Sequence, residues 1–169
     1  MSLSRRPTLT HPQARHVHTT YDSYGAAVAD YTWFPGPQVL YVRWHGHVTG
    51  DELVRAAHTG LRLNQHWQPR VLFHDLRGST GEWGEDSARP WLEYEWVPGI
   101  QSQCPNLRGI VTLFDARMTM PYANTLIISL LDQQFEFRVF YSLLSAWRWV
   151  DQRTRPHAEP GAWFPALPA

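Results

Sequence analysis

The chain predicts an α/β fold: a mixed, mostly parallel sheet with about four α-helices and antiparallel strands at its N-terminal end. Three observations predict it. Hydrophobic spacing along residues 15 to 152 switches repeatedly between a period of two and a period of three to four. The resulting order, three strands followed by repeated helix and strand, implies right-handed crossovers onto one sheet. In the middle, Arg70 to Gly81 (RVLFHDLRGSTG) joins an apolar run to an Asp and an abrupt Gly/Ser/Thr loop. That pattern suits a buried central strand delivering a polar loop to the sheet edge.

Each element has its own signal. Residues 15 to 21 alternate His16, His18 and Thr20 with Val17, Thr19 and Tyr21, a first strand, and residues 28 to 34 form a second, closed by Pro35-Gly36-Pro37. Residues 39 to 48 read as one long strand rich in β-branched and aromatic side chains. Thr49 stands three residues before Glu52, a capping box. Leu53, Ala56, Ala57, Gly60, Leu61 and Asn64 then trace the inward stripe of a helix that stops near Trp67 to Pro69. The central strand spans residues 70 to 76. Ser87 caps the next helix with Pro90 in its first turn, and Pro98-Gly99 should kink or shorten it. Residues 108 to 115 form another buried strand. A helix follows from Thr119 and Pro121 to about Leu131, then a half-exposed strand from Phe135 to Tyr141. Ser142 caps a last helix with Leu143, Ala146, Trp147 and Val150 inward.

Length and composition set bounds. The 169 residues suit one domain at residues 15 to 152, flanked by a loose arm at residues 1 to 14 and a Pro-rich tail at residues 153 to 169. The tail holds four prolines, and its Trp163, Phe164 and Leu167 are expected to dock on the domain. Hydrophobic residues make up 43% of the chain, enough to offset the entropy of folding. Fifteen basic and fifteen acidic side chains cancel, which argues against a nucleic-acid binder or a polybasic membrane anchor. No apolar stretch reaches the length of a transmembrane segment. The N-terminus lacks the apolar run of a secretory signal, and the single Cys104 suits a reducing compartment, so a cytoplasmic protein is expected.

Several stretches resemble a known family. They are Trp44-His45-Gly46, Thr49-Gly50-Asp51-Glu52 and Val71-Leu72-Phe73-His74-Asp75-Leu76-Arg77, followed by Trp96-Val97-Pro98, the strand at residues 107 to 115, Phe137-Arg138-Val139-Phe140 and Ala146-Trp147-Arg148-Trp149-Val150. Together they resemble the divergent bacterial branch of the STAS (sulfate transporter and anti-sigma factor antagonist) domains, related in fold to the lipid-binding CRAL-TRIO domains. The resemblance implies a regulatory module that binds a protein partner, a second copy of itself as a homodimer, or a small ligand, with no cofactor and no chemistry of its own. Relatives carry a phosphorylated Ser or Thr in an Asp-Ser-Ser-Gly or Asp-Ser-Thr-Gly run. Here Asp75 is followed by Leu76-Arg77-Gly78 before Ser79-Thr80, so Asp75, Arg77, Ser79 and Thr80 mark the matching switch or ligand loop without its motif.

The residues themselves offer few catalytic patterns. There is no G-x-S-x-G elbow, Cys104 has no base beside it in sequence, and Gly78 to Gly81 lacks the Lys of a phosphate loop. Glu93 and Glu95 would not share a helix face. His45 and His47, two apart on one expected strand, together with His74 on a neighbour, could hold zinc with an open position. The bland alternative is three separately satisfied imidazoles. Asp75 stands at a strand's carboxyl end, where ligands bind in open α/β sheets, yet it can equally accept N–H groups from its own turn or pair with Arg77 or Arg117.

Nine Trp are the least ordinary feature. Trp83, Trp91, Tyr94 and Trp96 gather around the second helix, and Trp147 and Trp149 cannot both face inward. The reading placed first is therefore a non-enzymatic module whose second-helix aromatics bind a partner protein or a second copy. A carrier of a small apolar ligand or lipid comes next, and a metal-dependent hydrolase using His45, His47 and His74 last.

Overall fold

A computed structural model describes residues 13–83 and 88–155. Residues 1 to 12 of the arm, Ser87, and Trp163, Phe164 and Leu167 of the tail lie outside the described residues. Of strands β1 (Arg15–Tyr21), β2 (Ala27–Phe34) and β3 (Val39–Trp44), β2 runs antiparallel to both its neighbours. From β3 the chain leaves through a two-residue strand β4 (Gly46–His47) and helix α1 (Gly50–Trp67), then enters β5 (Val71–Asp75) parallel to β3. A second short strand, β6 (Ser79–Thr80), pairs with β4 outside the main sheet. A composite helix follows as α2 (Ala88–Trp91), a π-helical turn (Leu92–Trp96) and α3 (Val97–Gln103). Strand β7 (Gly109–Leu113), helix α4 (Tyr122–Gln134), strand β8 (Phe137–Phe140) and helix α5 (Leu143–Thr154) complete the fold. The main sheet has the order β1-β2-β3-β5-β7-β8, with β3, β5, β7 and β8 parallel. This is the mixed α/β architecture expected from the hydrophobic spacing.

Because strand side chains alternate between faces, the central strands feed two cores of unequal size. Leu40, Val42, Leu72, Ile110 and Phe137 point into a thick layer with Leu53 and Ala56 of α1, Leu92, Trp96 and Ile100 of the composite helix, and Ile127 of α4. Val39, Val71, Phe73, Val111 and Leu113 point the other way, onto Ala146 and Val150 of α5. Both faces of β5 and β7 are covered, which is why their sequences are apolar runs. Among the described residues, no helix is long and apolar enough to cross a membrane.

Local signals account for the helix ends. Thr49 accepts a hydrogen bond from the Glu52 backbone N–H, and the Glu52 side chain accepts from the Thr49 N–H at 2.8 Å, closing the capping box. Ser142 accepts from the Ser145 N–H at the start of α5. Helix α4 begins at Tyr122, three residues later than Thr119, with Pro121 at its cap position and no capping side chain.

Two expectations need correction. The long strand at residues 39 to 48 is broken: Gly46 adopts φ +65°, and the chain turns out of the main sheet after Trp44. Pro98-Gly99 does not shorten the second helix, which runs on to Gln103, but distorts it. Proline has no N–H and crowds the carbonyl four residues back. The helix absorbs this by widening just before it, with the Val97 N–H donating to the Leu92 carbonyl, an insertion of the kind found at functional sites. Trp147 and Trp149 are both half-buried, in keeping with two rings that cannot both face inward. Trp147 packs on Tyr41 and Phe73, while Trp149 covers Gly109, where a Cβ would stand 2.5 Å from its ring.

We expect Thr49→Ala to lower stability by about 1 kcal/mol. Urea unfolding should show this as a lower midpoint at unchanged slope; a midpoint equal to wild type would show that the box contributes nothing.

Candidate functional site

The central strands carry one polar row within an apolar face. Val42, His74, Thr112 and Val139 stand side by side in register across β3, β5, β7 and β8, next to the row Leu40, Leu72, Ile110 and Phe137. Their side chains point into the thick layer, where the sheet, α1, the composite helix and α4 enclose a cavity of about 70 Å³. Its walls are mostly aliphatic and aromatic, and no ionised side chain lines it.

His74 forms part of the floor. The Trp44 indole Nε1–H donates to His74 Nδ1 at 3.2 Å. An indole N–H can only donate, so Nδ1 carries the lone pair, and the proton of the neutral ring sits on Nε2. The ring edge remains partly accessible because it opens on the cavity. Burial disfavours the imidazolium and pulls the pKa of His74 from the ordinary 6.5 down to about 4.

Two further polar side chains line the same space. Thr112, buried beside His74, has no side-chain hydrogen bond among the described residues. Asn64 descends from α1; it is 2% exposed, and its Oδ1 has no partner. The sequence pattern places Asn64 on the inward stripe of α1 without marking it as functional. An Asn on a core-facing stripe, with a His and a Thr inside buried strand runs, is the signal that could have found the site.

The predicted site residues fall elsewhere or act differently. Of the second-helix aromatics, Trp83 and Trp96 are not at the surface; both are core residues lining the cavity. Trp83 is held there by Asn124, fully buried on α4, which accepts from the Trp83 N–H at 2.9 Å and donates to the Gly81 carbonyl at 3.0 Å. Trp91 is half-buried and stacks on His58. Tyr94, on the outer side of the π-helical turn, is 72% exposed.

His45, His47 and His74 do not converge. The break at Gly46 removes the common strand face that the metal reading required. His45 Nε2 lies 2.7 Å from Asp30 Oδ2, His47 is next to Thr80, and His74 is in the core. Among the described residues, no group of three or more His, Cys, Asp or Glu is placed to hold a metal ion. Asp30 also accepts from the Thr19 hydroxyl, and these bonds outweigh burial to keep its carboxyl below the ordinary value.

Asp75 is on the opposite face from His74, held within its own turn. Its carboxylate accepts from the Arg77 backbone N–H at 3.1 Å, from Arg77 Nε at 3.0 Å and from an Arg77 terminal nitrogen at 2.7 Å, and from the Tyr41 hydroxyl. Burial pushes this carboxyl up, but the bonds from Arg77 and Tyr41 win and hold it below the ordinary value. Arg117 is not a partner; its N–H is taken by Asp115. In the neighbouring loop the Ser79 hydroxyl is buried and donates to the Leu76 carbonyl, whereas Thr80 is exposed. A larger recess of about 410 Å³ near Gln13, Arg15 and Pro35 opens to solvent and has few residues around it, so the interior cavity, lined by the polar row and the core, is the better candidate.

Compared with known proteins, the chain matches no family model and no curated protein.

The buried His74 makes stability depend on pH in a defined window. In the unfolded chain its imidazole takes up a proton near pH 6.5; in the folded chain only near pH 4. Between these values the unfolded state binds more protons, so stability rises with pH and is lost as pH falls from 6.5 towards 4. The loss is on the order of 3 kcal/mol at most. Urea unfolding at pH 7, 5.5 and 4 should show it, with a flatter profile in His74→Phe; an equal slope in both proteins would rule His74 out.

Proposed function

We propose that the protein is a non-enzymatic binding module of STAS-like build, whose guest is a compact, largely apolar small molecule held between the sheet and its thick helical layer. The observation that carries this reading is the interior cavity, on whose floor the second ring nitrogen of His74 and the hydroxyl of Thr112 have no protein partner among the described residues. Buried polar groups in folded proteins nearly always find partners, so two such groups side by side at one space favour a guest. The antiparallel opening and parallel body of the sheet support the STAS-like reading. The cytoplasm is the setting we assign, in keeping with the buried, unpaired Cys104. Burial raises that thiol's pKa to about 11, which makes it a poor nucleophile and supports a role without covalent chemistry.

Size limits the guest. About 70 Å³ is several times the roughly 10–15 Å³ that one water needs and well under the roughly 300 Å³ of drug-sized sites. A molecule of a few heavy atoms fits, and a lipid acyl chain does not. Xenon is a suitable probe because it enters apolar cavities. It should shift the methyl resonances of Leu72, Ile127 and Ile128, while native mass spectrometry of detergent-free protein should show a small adduct lost on unfolding. No xenon response together with no adduct would overturn the proposal.

A second reading, binding of a partner or a second copy, is favoured by Tyr94, which projects outward from a turn whose inner side lines the cavity through Leu92 and Trp96. Light scattering over a dilution series should then give a mass above that of one chain, reduced in Tyr94→Ala. A single-chain mass at all concentrations excludes self-association through this surface.

A further inference from the structure

The polar groups of the cavity differ in what they can give and take, and this restricts the guest. The bond from Trp44 leaves His74 with Nε2–H as its free polar group, a donor. Asn64 also lines the space, but its partnerless Oδ1 is sealed from it, so the group a guest can donate to is the Thr112 hydroxyl. Thr112 presents a hydroxyl that can do either. Parallel register sets His74 directly beside Thr112 on the adjacent strand, and neighbouring strands lie about 4.8 Å apart, so the two share one patch of the floor. Asn64 belongs to the helix that roofs it.

Charge narrows the choice further. No Arg, Lys, Asp or Glu lines the cavity. His74 is neutral at pH 7, because burial has lowered its pKa. A carboxylate or ammonium guest would lose its hydration with no counter-charge to meet it, a cost that outweighs a hydrogen bond from a neutral group. A pure hydrocarbon would leave His74 Nε2–H and the Thr112 hydroxyl unsatisfied, each at a desolvation penalty. One ordered water could satisfy both, but it would fill only a fraction of about 70 Å³ and leave the apolar remainder empty.

We infer that the cavity is a site for a small neutral alcohol, its hydroxyl accepting from His74 Nε2–H and donating to Thr112, and its short hydrocarbon body lying against Leu72, Ile127 and Trp96. This rests on the binding-module reading above and adds the chemical class of the guest. The hydroxyl takes the place of the water that these groups would otherwise hold, and the hydrocarbon part fills the space that the water could not.

Three probes of nearly equal size separate the possibilities: 1-butanol, n-pentane and butyrate, each titrated at pH 7 while the Trp44 indole N–H and His74 ring resonances are followed by NMR. The expected result is saturable binding of 1-butanol, with an affinity at least about tenfold above that of n-pentane or butyrate. The near-isosteric variant Thr112→Val should reduce that preference without weakening n-pentane. Equal binding of 1-butanol and n-pentane would overturn the alcohol assignment and leave the apolar-guest reading standing. Tighter binding of butyrate would overturn it as well. Binding of none of the three, with ordered water alone at His74, would overturn the alcohol site, and with no xenon response the binding-module reading too. The comparison of the three probes uses unmodified protein, so it holds even if a variant fails to fold.

Discussion

The structure depends most on the two-residue period of β5. This five-residue strand is covered on both faces, so each successive side chain must suit a different environment. Val71 and Phe73 meet α5, while Leu72 packs into the thick layer. The two polar residues of the strand obey the same alternation. Asp75 emerges on the α5 side, where Tyr41 and Arg77 reach it, and His74 emerges on the other, where Trp44 reaches it. Adjacent in sequence, they are kept apart by the sheet itself. One becomes a neutral ring facing an apolar space and the other an ionised group tied into its own turn. A slip of one residue in pairing would exchange them, placing a carboxylate in the cavity and an imidazole beside Arg77.

That separation explains why the resources of the two faces differ. The α5 face spends its aromatic rings on packing: Phe34, Tyr41, Phe73 and Trp147 form one connected cluster. The guanidinium of Arg77 completes the coordination of Asp75, so the polar groups of this face already satisfy one another. The thick layer has the opposite balance. Its helices bring many apolar side chains and few polar ones, and the register gathers the few that exist at one place. The free donor of His74 and the unbonded hydroxyl of Thr112 thus stand where space also remains.

Much of this was legible from local chemistry, and the parts that were not share one cause. Thr49 with Glu52 and Ser142 announce helix starts because a cap involves residues only three apart. The alternation of β2 and the apolar runs of β5 and β7 announce strands because neighbours in sequence decide which face is buried. Strand register is set by residues far apart along the chain, so nothing near His74 reveals that Thr112 stands beside it. The same holds for Gly109, whose missing side chain makes sense only once Trp149 is seen lying over it. His45 and His47 misled for a related reason. Their spacing presumes an unbroken strand, and Gly46 permits the positive φ at which the strand ends. The second-helix aromatics misled because composition reports how many rings there are, and burial alone reports which of them are spent inside.

The π-helical turn brings these strands of reasoning together. Residues four apart on an α-helix advance by about 40° beyond one full turn, so Leu92, Trp96 and Ile100 would drift by about 80° across their span. Yet all three are buried, and Leu92 and Trp96 both line the cavity. A turn closed by an i→i−5 bond takes up one additional residue and removes part of that drift, which keeps one side of the composite helix on the sheet. Proline at position 98 encourages this arrangement, since its missing N–H could not have closed the ordinary bond to Tyr94. The wider turn leaves Tyr94 outside and Trp96 inside, so one backbone irregularity supplies a cavity wall and an exposed ring. A guest pressing on Trp96 would act on the same turn that positions Tyr94, and the two readings of this protein, a small-molecule site and a partner surface, meet at those five residues.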